Sequence, residues 1–180
     1  MKYSIVLPVR NGGKHVKTCV NSILAQRYSQ FTLHVLDNNS TDGTREWITA
    51  LGDERIQVYP GTKDLSIEEN WARIKDIKKN EFITLIGHDD VLKDNYLEVM
   101  DRMIRDNPGA SLFQSHFDFI DAEDKFIRTC KAMPEKFSAD TLIEALFTRA
   151  IDTMGTGYMM RAADYDRAGG ISPLYPYLLF

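Results

Sequence analysis

Short apolar runs alternate along this chain with segments in which apolar residues recur every three or four positions. The short runs at residues 3–9, 31–36, 56–59 and 82–86 predict β-strands, and the periodic segments between them predict α-helices. The first run is apolar almost throughout, as expected for a parallel strand that helices cover on both faces. The pattern therefore predicts an α/β fold with a mostly parallel central sheet flanked by helices.

Local signals predict where several helices begin and end. Residues 40–44 are rich in capping residues, and residues 66–69 match the capping-box pattern, so each is expected to open a helix. The glycine pair at 169–170 is expected to end the last helix. Residues 111–120 and 125–128 predict two strands around a tight turn.

Composition narrows the class of protein. The 180 residues suffice for one domain with a sizeable core, and a hydrophobic content of 43% excludes a disordered chain. The formal net charge of −4 gives no support for a nucleic-acid partner. Cys19 and Cys130 lie far apart without a CxxC motif, so we expect reduced thiols in a cytoplasmic protein. We expect neither a transmembrane segment nor a signal peptide.

Polar residues follow three of the predicted strands. They form the segments PVRN at 8–11, DNNS at 37–40 and GHDD at 87–90. In an open α/β sheet, ligands bind outside the carboxyl ends of the strands. Three such ends on one edge would form a site, and an acidic chain that binds an anion there must recruit positive charge from a metal or from helix N-termini.

The adjacent carboxylates of Asp89 and Asp90 have two interpretations. One of them could simply cap a helix, since Asp is a preferred N-cap residue. The position after a buried strand favours a divalent cation instead, because hard cations take oxygen ligands. Mg²⁺ is commonly held by one or two carboxylates together with substrate phosphates.

The segments after the first two strands also allow two interpretations each. Asp37 and its neighbours fit a plain Asx turn, but a carboxylate can also accept the N3–H of uracil, and an Asn such as Asn39 can pair with base carbonyls. Arg10 and Asn11 fit a solvated loop, or a contact with ribose, base and phosphate. Residues 12–15 lack the upstream Gly and the Ser/Thr of a Walker motif, which we therefore reject.

Taken together, these segments resemble the family 2 glycosyltransferases, whose nucleotide-sugar domain has the Rossmann-like GT-A fold. Residues 4–11 resemble that family's first strand and turn, and SILAQ at 22–26 resembles the end of its first helix. LDNNSTDGT at 36–44 is similar to the family's VDDGSTDGT block. Residues 86–92 resemble the segment around its DXD motif, and GGI at 169–171 resembles its late Gly-Gly element.

The resemblance implies an inverting transfer of a sugar from a nucleoside diphosphate, UDP in our expectation, to a saccharide or lipid-linked hydroxyl in bacterial-type cell-surface polysaccharide synthesis. It implies a Mn²⁺ or Mg²⁺ cofactor. It also implies that the protein is located in the cytoplasm, including the inner face of the membrane. Residues 1–108 would bind the nucleotide-sugar, and residues 109–180 would begin the acceptor-binding part of a single domain. The implied metal ligands are Asp89 and Asp90. The implied nucleotide-binding residues are Pro8, Val9, Arg10, Asn11, Asp37, Asn39, His88 and Asp89.

Two departures from the family pattern matter. Gly87 stands where the family often has the first Asp of DXD, which leaves Asp89 in the metal-ligand position and His88 near the nucleotide. The family's acidic base lies beyond the Gly-Gly element, and the apolar run at 175–180 suggests a domain cut before it, so we expect the base after Phe180. The alternatives are a sugar-phosphate nucleotidyltransferase, whose Gly-rich basic loop the segment 8–14 matches poorly, and a non-catalytic nucleotide-binding module.

Overall fold

The computed structural model describes residues 1–173, and these fall into two units. One unit comprises Met1–Gln114 and the described part of Thr156–Phe180, and the other comprises Ser115–Gly155. The predicted division at residue 108 stays a prediction. The run at 175–180, which suggested a cut domain, lies outside the described residues.

The first unit contains six strands, which are β1 Tyr3–Val9, β2 Phe31–Asp37, β3 Ile56–Pro60, β4 Phe82–Leu85, β5 Leu112–Phe113 and β8 Met159–Arg161. They form one sheet with the order β3-β2-β1-β4-β8-β5. β3, β2, β1 and β4 are parallel, β8 runs antiparallel to β4, and β5 runs antiparallel to β8. The mostly parallel sheet predicted from the apolar runs is therefore confirmed.

Helices connect the strands of this unit. The predicted capping box is present, since Ser66 Oγ accepts the Glu69 N–H while Glu69 accepts the Ser66 N–H. Gly169 and Gly170 have φ of 91° and 66°, which favours glycine, and they end the last helix as predicted. The helices are α1 Gly13–Leu24, α2 Thr44–Ala50, α3 Ile67–Ala72 with a 3-10 turn at Arg73–Asp76, α4 Tyr96–Asp106 and α6 Ala162–Arg167.

The sheet separates two apolar clusters, because successive strand residues point to opposite faces. On one face, alternate residues of β1 such as Ile5 and Leu7 pack with Val20 of α1 and Met100 of α4. On the other face, Val6, Leu36 and Ile83 pack with side chains of α3, the 3-10 turn and α6, namely Trp71, Ile74, Ala162 and Tyr165. Helices thus cover both faces of the parallel strands, as their continuous apolar character predicts.

The second unit contains a hairpin of β6 Asp118–Ile120 and β7 Phe126–Thr129, followed by α5 Ala139–Phe147. The prediction of one strand over residues 111–120 is wrong. The run breaks at its polar centre, so that β5 pairs with β8 of the large sheet and β6 pairs with β7. The predicted tight turn between β6 and β7 is present, with the Asp121 N–H donating to the Lys125 carbonyl at 2.9 Å.

Candidate active site

The polar segments after β1, β2 and β4 meet at one edge of the sheet. Val9 at the end of β1 pairs with Asp37 at the end of β2, which pairs with Pro60 at the end of β3. β4 ends slightly earlier, where Leu85 pairs with Val6. Because this edge is the carboxyl end of all four parallel strands, the prediction that the three polar ends come together is confirmed.

Asn11 fastens the loop after β1 to the loop after β2. Its N–H donates to Ser40 Oγ at 3.0 Å, and its Oδ1 accepts the Thr41 N–H at 2.8 Å. Asn11 and Asn39 have φ of 51° and 54°, a region that asparagine enters more readily than most residues. Both asparagines therefore shape the turns at this edge.

The first turn of α1 is capped by residues that precede and begin α2. The Gly12 N–H donates to Thr44 Oγ1 and the Gly13 N–H donates to Asp42 Oδ2, each at 3.0 Å. Hydrogen bonds lower the pKa of the Asp42 carboxyl, and the bond with Thr44 has the largest effect. Two of the free N–H groups at this helix end are thus taken by the protein itself and are not offered to a phosphate.

Arg10 and Asn39 share a partner, Asp64, that the sequence did not single out. Asn39 Nδ2 donates to Asp64 Oδ1 at 2.9 Å, and Arg10 Nη2 donates to Asp64 Oδ2 at 2.5 Å. These two bonds lower the pKa of Asp64, and the bond from Asn39 has the larger effect. Asp64 stands in the irregular loop between β3 and α3, where no periodicity or motif points to it. The guanidinium predicted to lie near phosphate is therefore paired with a carboxylate of the same edge.

Asp37 is fully buried at the end of β2. Its Oδ2 accepts the Ser40 N–H at 3.3 Å, while its buried Oδ1 has no hydrogen-bond partner in the described part of the chain. A buried oxygen without a donor costs free energy, so a ligand N–H would be favourable at this atom. The hypothesis that Asp37 accepts the N3–H of uracil stays a prediction, and it requires the base to reach past the side chains that cover Oδ1.

Arg73, which the sequence analysis missed, ties the ends of β2 and β3 together. Its Nη1 donates to the Asp37 carbonyl at 3.0 Å and to Asn70 Oδ1 at 2.8 Å, and its Nη2 donates to the Tyr59 carbonyl at 2.7 Å. Burial lowers the pKa of Arg73, and the Asp37 carboxylate opposes that shift. The available signal was the spacing of Asn70 and Arg73, which places both on one side of a helical turn.

The acidic pair follows β4 in a tight turn. The Asp90 N–H donates to the Gly87 carbonyl at 3.2 Å, and the Gly87 N–H donates to Asp90 Oδ2 at 3.1 Å. A Cβ on Gly87 would lie 2.8 Å from Asp89 Oδ1 and 2.9 Å from Asp90 Oδ2, so both carboxylates converge over this glycine. Asp89 is exposed, while His88 and Asp90 are half-buried.

The interpretation of Asp89 or Asp90 as a helix N-cap is wrong, because α4 begins only at Tyr96. Hydrogen bonds with Ser22 in the last turns of α1, and with Gln26 just after this helix, hold the intervening segment in a non-helical path. Ser22 Oγ accepts the Leu92 N–H at 3.1 Å. The buried Gln26 donates to the Lys93 carbonyl at 2.7 Å and accepts the Leu97 N–H at 3.0 Å.

The donor set of this turn fits a metal that arrives with a phosphate ligand. Within residues 1–173, no group of three or more His, Cys, Asp or Glu side chains is placed to hold a metal ion. Asp89 with its exposed carboxylate, and Asp90 beside it, could supply one or two oxygen ligands. Mg²⁺ typically takes that number from the protein and the rest from substrate phosphates and water.

The remaining residues that were predicted to bind the nucleotide are Pro8, Val9 and His88. The side chains of Pro8 and Val9 are buried, and the Val9 carbonyl accepts the Asn38 N–H at 2.8 Å. His88 stands in the turn between the strand end and the acidic pair. The prediction that the catalytic base lies after Phe180 concerns residues outside the described part of the chain, so it stays a prediction.

Comparison with known proteins gives the family. The family model described as Glycosyl transferase family 2 matches residues 4–167. Glycosyltransferase GlyG of Streptococcus pneumoniae is 26% identical over 126 residues, covering 68% of this chain and 42% of GlyG. The Escherichia coli enzyme WfgD, a UDP-Glc:alpha-D-GlcNAc-diphosphoundecaprenol beta-1,3-glucosyltransferase, is 28% identical over 119 residues, covering 65% of this chain and 46% of WfgD. The chain spans less than half the length of these relatives.

Solved structures agree on the fold. Staphylococcus aureus TarS residues 1–349 in complex with UDP superposes with a TM-score of 0.78 at 14% identity, covering 99% of this chain and 52% of that TarS fragment. The mannosyltransferase PcManGT of Pyrobaculum calidifontis, in complex with GDP-Man and Mn²⁺, gives a TM-score of 0.67 at 15% identity, covering 96% and 48%. Across residues 1–173, no helix has the length and apolarity to cross a bilayer. The chain belongs to glycosyl transferase family 2, and its fold is the GT-A fold of these neighbours.

Proposed function

We propose that this chain binds a UDP-sugar at the carboxyl edge of its parallel strands, with Mn²⁺ or Mg²⁺, and transfers the sugar to a hydroxyl acceptor. The observation that carries the proposal is the turn after β4, where the exposed Asp89 and its neighbour Asp90 converge over Gly87. The other two polar strand ends lie at the same edge of the sheet.

The nucleoside would be held by the ends of β1 and β2. The unpartnered Oδ1 of Asp37 is an acceptor that suits the N3–H of uracil. The side chains of Arg10, Asn11 and Asn39 belong to the segments that follow these two strands and would offer donors to ribose and phosphate. Two similar proteins support UDP, since WfgD is named for the donor UDP-Glc and the TarS 1–349 structure holds UDP-GlcNAc. Because the structure of PcManGT contains GDP-Man, GDP is the nucleotide to compare with UDP.

Asp89 would hold the metal, and Asp90 would contribute the oxygen that Gly87 and Thr156 do not engage. The metal, when bound, would supply Lewis-acid neutralisation of the diphosphate leaving group. The carboxylates of Asp89 and Asp90 would fix the position of the metal, and the contacts with the nucleoside would fix the position of the sugar donor relative to these carboxylates. We propose an inverting in-line displacement by the acceptor hydroxyl, with a carboxylate base located beyond Phe180.

The acceptor would be a saccharide or a lipid-linked saccharide in cell-surface polysaccharide synthesis. WfgD supports the lipid-linked alternative, since its name gives alpha-D-GlcNAc-diphosphoundecaprenol as its acceptor. A lipid-linked acceptor would bring the protein to the inner face of the membrane from the cytoplasm. A sugar-phosphate nucleotidyltransferase is disfavoured, because the Gly12 and Gly13 N–H groups are bonded to Thr44 and Asp42 and do not form a phosphate-binding loop.

Calorimetric titration of the 180-residue chain with UDP and GDP, in Mn²⁺ and in chelator, tests the proposal. UDP should bind more tightly than GDP, and more tightly with Mn²⁺ than with chelator. Asp89→Ala should remove the effect of Mn²⁺. Asp94→Ala is the matched control, because Asp94 follows in the same loop and pairs with Arg27 instead.

A separate variant tests the nucleoside contact. Asp37→Asn should weaken UDP binding in both Mn²⁺ and chelator and leave the ratio of the two affinities unchanged. Equal UDP affinity of the wild type with and without Mn²⁺ would overturn the metal role. Preference for GDP, or wild-type UDP affinity in Asp37→Asn, would overturn the assignment of the base.

A further inference from the structure

Thr156 contacts the acidic turn directly. Its hydroxyl donates to Asp90 Oδ2 at 2.6 Å, and the same oxygen accepts the Gly87 N–H at 3.1 Å. Hydrogen bonds to an ionised carboxylate are shorter and stronger than those between neutral groups. Two donors on one oxygen fix the orientation of the Asp90 carboxylate and leave its Oδ1 for another partner.

The position of Thr156 is set by the strand end beside it. The Gly157 N–H donates to the Leu85 carbonyl at 2.8 Å, at the last residue of β4. The Gly157 carbonyl lies 3.1 Å from the hydroxyl oxygen of the buried Tyr96, which is also 3.1 Å from Thr84 Oγ1. The Thr156 hydroxyl therefore projects from backbone that is anchored to the same strand as the acidic turn.

Motion of the Asp90 carboxylate would be transmitted to Asp89. The two side chains flank the same point above Gly87, where Asp89 Oδ1 and Asp90 Oδ2 lie 2.8 and 2.9 Å from the site of a Cβ. Like charges this close repel, so an Asp90 released from its donors would compete with Asp89 for space and for counter-charge. A fixed Asp90 leaves Asp89 in one place.

We infer that Thr156 is a positioning residue for the metal site, acting through Asp90 on the carboxylate of Asp89. This inference rests on the proposed function and extends it, because it assigns a role to a residue 66 positions along the chain from the acidic turn. Partners that orient metal ligands in this way typically change metal affinity by about 10–100-fold when removed.

The test is a Mn²⁺ titration of the 180-residue chain at saturating UDP, followed by the electron paramagnetic resonance signal of free Mn²⁺. Thr156→Val keeps the shape of the side chain and removes the donor, and it should raise the Mn²⁺ dissociation constant by about 10–100-fold. UDP affinity in chelator should not change. Thr156→Ser restores the donor and should recover Mn²⁺ binding close to the wild type.

Thr129→Val is the matched control, because Thr129 Oγ1 also donates to a carboxylate oxygen, that of Asp118 in the β6–β7 hairpin, at 2.8 Å. It should leave the Mn²⁺ titration unchanged. Wild-type Mn²⁺ affinity in Thr156→Val, or equal loss in both threonine variants, would overturn the positioning role. A wild type whose UDP complex takes up no Mn²⁺ would instead overturn the metal role in the proposed function.

Discussion

Arg10 and Asp64 form an ion pair at the carboxyl edge of the parallel strands, with Arg10 Nη2 2.5 Å from Asp64 Oδ2 although 54 positions separate them in the chain. Asp64 also accepts from Asn39, so one exposed carboxylate engages two of the predicted nucleotide-binding residues. A bound diphosphate would meet a guanidinium whose charge is already shared. The loop between β3 and α3 is therefore part of the candidate site.

Replacing Asp64 by Asn should tighten UDP binding about two- to fivefold at low salt, because it removes a negative charge that competes for Arg10. The gain should shrink as ionic strength rises, since exposed charges are screened. Calorimetry at two salt concentrations measures both effects. Asp53→Asn, which breaks the pairing of Asp53 with Arg55, should leave UDP affinity unchanged. Weaker UDP binding by Asp64→Asn would show that the carboxylate orients Arg10 rather than competing for it.

Gly87→Ala should weaken the Mn²⁺-dependent part of UDP binding by about tenfold or more. The new Cβ would stand 2.8–2.9 Å from two carboxylate oxygens, so Asp89 and Asp90 would have to turn away. UDP binding in chelator should remain, which calorimetry in both conditions will measure. Gly109→Ala is the control, because no atom lies within 4 Å of a Cβ there. The same Mn²⁺ dependence in both alanine variants would contradict the convergence of the carboxylates over Gly87.

His34 should make the folded state less stable in mild acid. Burial lowers its pKa from 6.5 to about 4, and the charge of Lys79 adds to the shift. Between those two values the unfolded chain binds more protons than the folded chain, so the free energy of unfolding falls as pH decreases from about 7 towards 4. From pH 7.5 to pH 5 the loss should be about 2 kcal/mol, measured by urea denaturation.

His34→Gln tests the origin of that pH dependence. The variant should lose stability at pH 7.5, because the ring nitrogens lie 3.0 Å from Ser4 Oγ and 3.2 Å from the Tyr59 hydroxyl. It should also lack the fall in stability between pH 7.5 and pH 5. His15→Gln on α1 should keep it. An unchanged slope in the His34 variant would assign the pH dependence to other groups.

The sheet and most helices could be predicted because their signals are local. The run at residues 3–9 coincides with β1, and the capping box at Ser66 forms as its sequence indicates. The carboxyl ends of parallel strands necessarily share an edge, so the placement of the polar segments after β1, β2 and β4 at one edge also followed from the pattern. The resemblance to a known family supplied the chemistry expected at that edge.

The partners that complete the site could not be predicted, because each comes from a distant and irregular part of the chain. Asp64, Arg73 and Thr156 stand in a loop, a 3-10 turn and the segment before β8. Neither periodicity nor a motif marks Asp64 or Thr156, and the helical spacing of Asn70 and Arg73 does not indicate which groups Arg73 binds. The alternative of a helix cap at Asp89–Asp90 failed for the same reason. Its exclusion depends on hydrogen bonds with Ser22 in α1 and with Gln26 just after α1, both far earlier in the sequence.

The place of β8 in the sheet has a consequence for the order of events during synthesis. β8 separates β4 from β5, and β5 has no other strand neighbour in the described sheet. Until residues 159–161 leave the ribosome, the apolar strand Phe82–Leu85 therefore presents an open edge, which is a template for pairing with other chains. The four parallel strands, complete at Leu85, must persist through the synthesis of more than seventy further residues before their edge closes. Non-local pairing of this kind is slow to form, so the nascent chain spends that interval exposed to aggregation and to chaperones.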